Sequence, residues 1–240
     1  MRILILADIH ANLSAFQMVI VSAGQYRPDG AVFLGDLIDY GMRPNEVVAQ
    51  MERLPFPLLC TIQGNHEHAL LNQDMSRFSS ARGMVMSRYT QSQLSAHSRN
   101  YIMGLDTKGY AEIGVDGKRL LLVHGSMDDP FWGKLTPDIA GKIYQPYDVV
   151  LSGHTHRPHY FERYYSDPDS PFRGEKKTIF INPGSVGQPR NHNPMAQYAV
   201  FDTQTGEAIL AGVPYSIQTE QILYPPELPA FYKERLALGI

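Results

Sequence analysis

Leu58-Leu59-Cys60-Thr61-Ile62-Gln63-Gly64-Asn65-His66-Glu67 is the stretch whose reading decides the fold. An apolar, strand-like run ends at a glycine. An amide, an imidazole and a carboxylate then follow in a row where the backbone must turn. Four more clusters have the same character: Asp8-Ile9-His10, Gly35-Asp36-Leu37-Ile38-Asp39, His124-Gly125 and Gly153-His154-Thr155-His156. Each closes an apolar run, at residues 3–7, 31–34, 118–123 and 149–151. Taken together, the five clusters read as one two-metal hydrolytic site built at strand ends.

The segments between the clusters set the architecture. Residues 3–7 are continuously apolar, as in a strand buried on both faces. In extended backbone, residues two apart project to the same side, so Asp8 and His10 are expected to reach one point. Leu13, Phe16, Val19, Ile20 and Ala23 recur at helical spacing, with Gly24 or Gly30 as the stop. A second strand at 31–34, a helix opened by Pro44, and a third strand at 58–62 continue the rhythm. Alternating strands and helices predict parallel strands, whose carboxyl ends carry the ligand site.

The second half is predicted differently. Helices are expected at 79–91 and 95–103, as a Met-rich insertion spanning about 67–105 beside the site. A hairpin at 110–115 and 118–123 turns on Asp116-Gly117, a favoured two-residue pair. A short helix is expected at 139–143, and strands at 159–164, 178–181, 198–201 and 208–213, read as an antiparallel sheet packed on the first. Residues 167–175 read as a surface loop. A Pro-rich tail from about 214 ends in a helix at 231–238. The chain is expected to form a single domain over 1–240.

The chain has 240 residues, 43% hydrophobic and 19% charged, which suits one substantial soluble core. A net charge of −3 supplies no global field toward nucleic acid or an anionic membrane, so a phosphate-bearing substrate must be attracted locally. The single cysteine, Cys60, excludes an intrachain disulfide framework and reads as a core thiol. Only five apolar residues precede Asp8 after the one basic residue, too few for a signal core or membrane span. A cytoplasmic location and no membrane partner are expected.

Asp8, His10, Asp36, Asn65, His124, His154 and His156 are the candidate ligands. Oxygen and imidazole donors without sulfur suit borderline divalent ions: manganese first, with iron, zinc or nickel as alternatives. A carboxylate such as Asp36 has two oxygens to share between two ions. Paired ions about 3.5–4 Å apart polarise a phosphoryl oxygen and turn a bridging water into hydroxide near neutral pH.

In order and spacing these motifs resemble the signature of the calcineurin-like metallophosphoesterases, from residue 3 to about 201. Residues 182–190 resemble a loop of the small prokaryotic phosphodiesterase branch. The resemblance implies an α/β (α+β) fold, a four-layer α/β/β/α sandwich of two mixed sheets flanked by helices. It implies one ion held by Asp8, His10, Asp36 and His156, and the other by Asp36, Asn65, His124 and His154. It implies that His66 binds the substrate phosphate or protonates the departing alkoxide, steadied by Asp39. An imidazole titrating near neutrality suits that task.

Arg190 is read as either a phosphate contact or a loop stabiliser, with Asn65 and His66 as its partners at the substrate. His68 is either an outer neighbour of the site or an exposed helix position. His97 reads as solvated, and His159 and His192 as structural or surface residues. Ser185 has no neighbouring base and is not a nucleophile; its loop is expected to offer backbone N–H groups. Phe131 and Trp132 either floor the pocket or fill the core. Tyr40 stands where the protein phosphatase branch has an arginine, which favours diesters, although Arg43, Arg157 or Arg190 would compensate. The expected activity is therefore hydrolysis of small or nucleotide-like phosphate esters, diesters first. Alternatives are a phosphomonoesterase, a Ser/Thr protein phosphatase-like enzyme, a dinucleoside polyphosphate hydrolase, or a non-catalytic metal-bound binding or scaffold protein. Self-association into a homo-oligomer is a further expectation.

Overall fold

The computed structural model describes residues 1–166 and 176–240; the loop expected at 167–175 lies outside them. The chain begins β1 (Arg2–Leu6), α1 (Leu13–Ala23), β2 (Gly30–Phe33), α2 (Pro44–Glu52) and β3 (Leu58–Thr61). The helical segment follows as α3 (Asn65–Asn72), α4 (Ala81–Gln93) and α5 (Ala96–Met103). Then come β4 (Tyr110–Val115), β5 (Lys118–Val123), β6 (Val149–Ser152), β7 (His159–Tyr165), β8 (Lys176–Asn182), β9 (Ala196–Asp202) and β10 (Ala208–Val213). Helices α6 (Ile217–Gln221) and α7 (Phe231–Leu238) close the chain.

The strands form two five-stranded sheets, in the orders β10-β9-β1-β2-β3 and β4-β5-β6-β8-β7. In the first, β1, β2 and β3 are parallel and β9 runs antiparallel beside β1. In the second, β5, β6 and β8 are parallel and β4 and β7 are antiparallel edges. This corrects the expected antiparallel sheet in two ways. Strands β9 and β10 complete the first sheet, because the open edge of β1 needs backbone partners. The parallel β5-β6 crossover is made by loop, since residues 124–148 lack a sustained helical period.

Alternation along each strand separates the layers. Ile3, Ile5, Val32 and Leu34 meet Leu120, Leu122, Leu151 and Ile181 between the sheets. Leu4, Leu6 and Phe33 face the other way, against Phe16 and Val19 of α1 and Val47 and Val48 of α2. The outer face of the second sheet, with Leu121, Val123 and Phe180, is covered by Leu135, Tyr144 and Tyr147. The short helix expected at 139–143 is instead a single 3-10 turn, Lys142–Tyr144, seating Tyr144 in that layer.

Local chemistry explains the boundaries. Asn12 caps α1 by accepting from the Ala15 N–H, Pro44 opens α2, and Ser80 caps α4 through the Gly83 N–H. Asp116 and Gly117 both have positive φ, 50° and 75°, as the tight β4–β5 hairpin requires. No helix among the described residues is long and apolar enough to cross a membrane.

Candidate metal centre

The carboxyl ends of β1, β2, β3, β5 and β6 converge where the two sheets meet, and each delivers one cluster. The turns are sharp. Asp8, His10, Asp36, Asp39, His154 and His156 all have φ between 48° and 75°. Non-glycine residues avoid that region at a cost of about 1–2 kcal/mol each. Its concentration here means the surrounding bonds hold these residues in place. It also corrects the extended-backbone argument for Asp8 and His10: their side chains converge, but through left-handed turns. Gly35 and Gly64 permit the close crossing of the β2 and β3 ends. A Cβ on Gly64 would lie 2.1 Å from Asp36 Oδ1, and one on Gly35 2.3 Å from the Gly64 nitrogen.

Asp8, His10, Asp36 and His156 bring one donor atom each within 4.8 Å of one another. Asp36, His124 and His154 do the same, so the two groups meet at Asp36. Asn65 Oδ1 joins the second group, 3.0 Å from His124 Nε2 and 2.9 Å from His154 Nδ1. All seven expected ligands are thus gathered, and all but half-buried His154 are buried.

Hydrogen bonding fixes what these atoms offer. His10 Nδ1 donates to Ile38 O at 3.0 Å, His156 Nδ1 to Gln188 O at 2.6 Å, and His124 Nδ1 to Leu34 O at 2.7 Å. A carbonyl only accepts, so each Nδ1 carries a proton, and each ring when neutral turns an Nε2 lone pair inward. His10 and His156 then oppose two lone pairs at 3.1 Å. Asp8 Oδ1 lies 3.2 Å from His156 Nε2, and Asp36 Oδ2 3.3 Å from His124 Nε2. Both Asp8 oxygens and Asp36 Oδ2 are buried without a hydrogen-bond donor. Acceptors facing acceptors in a dry site need cations between them. The residues therefore fit two divalent ions, with outward N–H groups anchored on carbonyls as metal-bound imidazoles require.

Without ions, the electrostatics divide the donors. Burial holds His10, His154 and His156 well below the usual imidazole range, so their rings are neutral and able to act as ligands. Burial lowers His124 too, but the Asp36 carboxylate outweighs it and lifts the ring to about 9. Burial pushes Asp8 up to about 8. Divalent ions reverse that logic, since they replace the protons these groups would otherwise retain.

His66 stands beside the two groups. Its Nδ1 is 2.7 Å from Asp39 Oδ2, and its backbone N–H donates to Asp36 Oδ1 at 2.9 Å. Burial lowers its pKa, but the Asp36 and Asp39 carboxylates outweigh this and hold it raised. Asp39 Oδ1 accepts from the Thr90 hydroxyl at 3.1 Å and the Tyr40 N–H at 3.0 Å, so α4 steadies the Asp39–His66 pair. Tyr40 packs edge-on to His66 at 4.5 Å and stacks on Tyr232 of α7 at 4.7 Å. The Pro-rich tail thus braces the site through one ring.

Above the donors lies a cleft of about 370 Å³, whose walls include Tyr40, His66, Phe78, Trp132, Lys134 and Arg190. Trp132 lines it beside Phe78, with ring centroids 5.6 Å apart, whereas Phe131 stacks on His68 at 4.0 Å behind it. The loop after β8 spends its N–H groups on the chain itself: Val186 and Gly187 donate to Ala7 O and Asp8 O. The Ser185 hydroxyl donates to Asp8 O. His97 is exposed and paired with Glu52, and His192 is exposed.

Glu67 is the residue to which the sequence reading gave no role in the site. Its buried Oε1 accepts from Leu37 N and Ile38 N, and Oε2 from Asp36 N and Gly64 N, at 2.7–3.1 Å. Burial and the Asp36 charge push its pKa up, yet four N–H donors leave no acceptor for a carboxyl proton. Glu67 thereby clamps the Asp36 turn to the start of α3, a helix read only as a turn because Gly64, not Ser or Asp, precedes it. Glu67→Gln turns an amide N–H₂ toward two of those donors. The expected loss is about 2–6 kcal/mol, seen as a melting point lower by on the order of 10 °C. An unchanged melting point would remove Glu67 from this role. Asn182 acts similarly across β6, donating to Gly153 O at 2.8 Å.

A model of the calcineurin-like phosphoesterase superfamily domain matches residues 1–206. An uncharacterized protein of Methanocaldococcus jannaschii is 27% identical over 249 residues, spanning 99% of this chain and 98% of its own. The crystal structure of a metallophosphoesterase from Sphaerobacter thermophilus aligns over 100% of this chain and 99% of its own, with 30% identity and a TM-score of 0.79. A hypothetical protein from Pyrococcus horikoshii has a TM-score of 0.81 over 100% of this chain and 98% of its own, at 19% identity, a likeness of fold alone. The matched residues run through every cluster from Asp8 to Arg190, and the chain belongs to the calcineurin-like phosphoesterase superfamily.

Proposed function

We propose that this protein hydrolyses phosphate esters, diesters in preference to monoesters, using two divalent metal ions, manganese foremost. The observation that carries the reading is the set of opposed, donor-less acceptors on Asp8, His10, Asp36, His124 and His156, with His66 beside them. Asp8, His10, Asp36 and His156 would hold one ion, and Asp36, Asn65, His124 and His154 the other. Bound there, the ions supply Lewis-acid polarisation of the phosphoryl group and an activated water.

The chain's own residues do the rest. Leu34 O, Ile38 O and Gln188 O fix the imidazole tautomers. Asn65 and Arg190 orient the phosphate from the cleft walls. His66, kept protonated by Asp39, gives its proton to the leaving oxygen, and Thr90 keeps Asp39 turned toward it. Phe78 and Trp132 narrow the cleft and keep water away.

The diester preference rests on charge. Arg77 lines the cleft but is tied to Asp129, and Tyr40 is locked against Tyr232, leaving Arg190 as the guanidinium there without a carboxylate partner among the described residues. A monoester dianion gains most from several such groups, whereas a diester carries one charge. The test compares a diester and a monoester of one chromogenic phenol on manganese-reconstituted protein. Faster diester turnover is expected. The reverse order would overturn the preference, and no turnover of either would overturn the hydrolase. A cytoplasmic location forms part of this proposal.

A further inference from the structure

Beside the metal cleft lies a second cavity of about 450 Å³, at the start of β7. It shares Lys134, His154 and Arg190 with the cleft and continues to Thr136, Arg157 and His159. The two spaces therefore adjoin along one wall.

Its charge is one-sided. Lys134, Arg157 and Arg190 line it, and among the described residues no carboxylate does. None of the three pairs with a carboxylate among the described residues. Arg157 donates Nε to Arg190 O at 3.1 Å, which sets its guanidinium at the rim. Among the described residues, Arg190 keeps a buried Nε with no acceptor, and His159 a buried Nε2 with no partner. On a chain of net charge −3, three unpaired cations around one concavity mark a local anion trap. Arg and Lys here have the donor geometry that phosphate oxygens accept.

We propose that this cavity is a subsite for a second phosphate group on the ligand whose first phosphate sits at the metal centre. Arg157 and Lys134 grip it, and His159 and Thr136 complete the contacts. The inference rests on the hydrolase reading for the first phosphate, and it narrows the substrate class to nucleotide-like esters bearing a further phosphate. Burial pushes His159 down to about 4, so its ring is neutral and its partnerless nitrogen is available for hydrogen bonding.

Calorimetric titration of the metal-loaded protein tests it without requiring turnover. The probes are adenosine 5′-monophosphate, adenosine 5′-diphosphate and adenosine 3′,5′-bisphosphate. At least one two-phosphate probe is expected to bind about tenfold tighter than the monophosphate, the size of one good charge-assisted contact. Arg157→Ala and Lys134→Ala should each cut that ratio to about threefold or less, and the double variant should bring it to about one. Both side chains are exposed, so folding is expected to survive, and Lys134→Ala leaves the Arg157–Arg190 bond intact. A ratio near one in the unaltered protein, or one unchanged in both variants, would overturn the proposal. So would free inorganic phosphate filling the cavity while the tethered group gains nothing. Binding without hydrolysis of any ester would refute the hydrolase and leave the subsite standing; hydrolysis with no ratio would do the opposite.

Discussion

Asp36→Asn is expected to remove hydrolysis by on the order of 10³-fold or more, because loss of the shared carboxylate forfeits several kcal/mol of charge stabilisation. The fold should survive. The substituted amide keeps an Oδ1 for the His66 N–H, and its new N–H₂ points where Asp36 Oδ2 now lies, 3.3 Å from His124 Nε2 and 3.6 Å from His10 Nε2. Those lone pairs would accept it. The substitution therefore gives the site internal donors where it now needs cations. Metal saturation at 100 times Kd should stabilise the unaltered protein by about 2.7 kcal/mol, several degrees of melting temperature at this size. Asp36→Asn should lose that shift while its metal-free melting point stays the same or rises. Retained metal stabilisation with retained turnover would show that Asp36 is not shared.

His66→Gln should separate proton transfer from metal binding. The imidazole contacts Asp39 and packs on Tyr40 and Phe78, and none of the seven ligand atoms belongs to it. The metal-induced melting shift should therefore persist, while kcat on alkyl esters falls about 10²–10⁴-fold, the range for a lost general acid. The loss should shrink for esters of acidic phenols, whose leaving oxygen needs little help. Equal losses for both leaving groups would make His66 a phosphate ligand only.

The parts of this account legible in the sequence were those carried by local pattern. Apolar runs ending in Asp, Asn or His marked five strand ends, and the Asp116-Gly117 pair marked its hairpin with both bounds. Fold features needing distant partners were not legible. β9 and β10 read as belonging with the later strands, because nothing in residues 196–213 says that β1 has an open edge. The parallel order of β5, β6 and β8 was hidden by a crossover without a helix. Helix α6 went unread, since five residues carry too little periodicity.

At the site, the candidate ligands were readable and their support was not. Glu67, Thr90 and Asn182 act through backbone groups and carboxylates brought close only by folding. The left-handed turns at Asp8, His10 and His156 carry no residue signature, since Asp and His merely tolerate them. The cationic cavity was equally invisible, because Lys134, Arg157 and Arg190 come from three separate loops.

The most direct measurement is a metal titration of chelator-stripped protein, following turnover of a chromogenic diester and bound manganese together. Two ions per chain are predicted, with activity absent before metal and saturating as the second ion binds. Full turnover by the stripped protein in excess chelator, or saturation with a single ion per chain, would contradict the two-metal site.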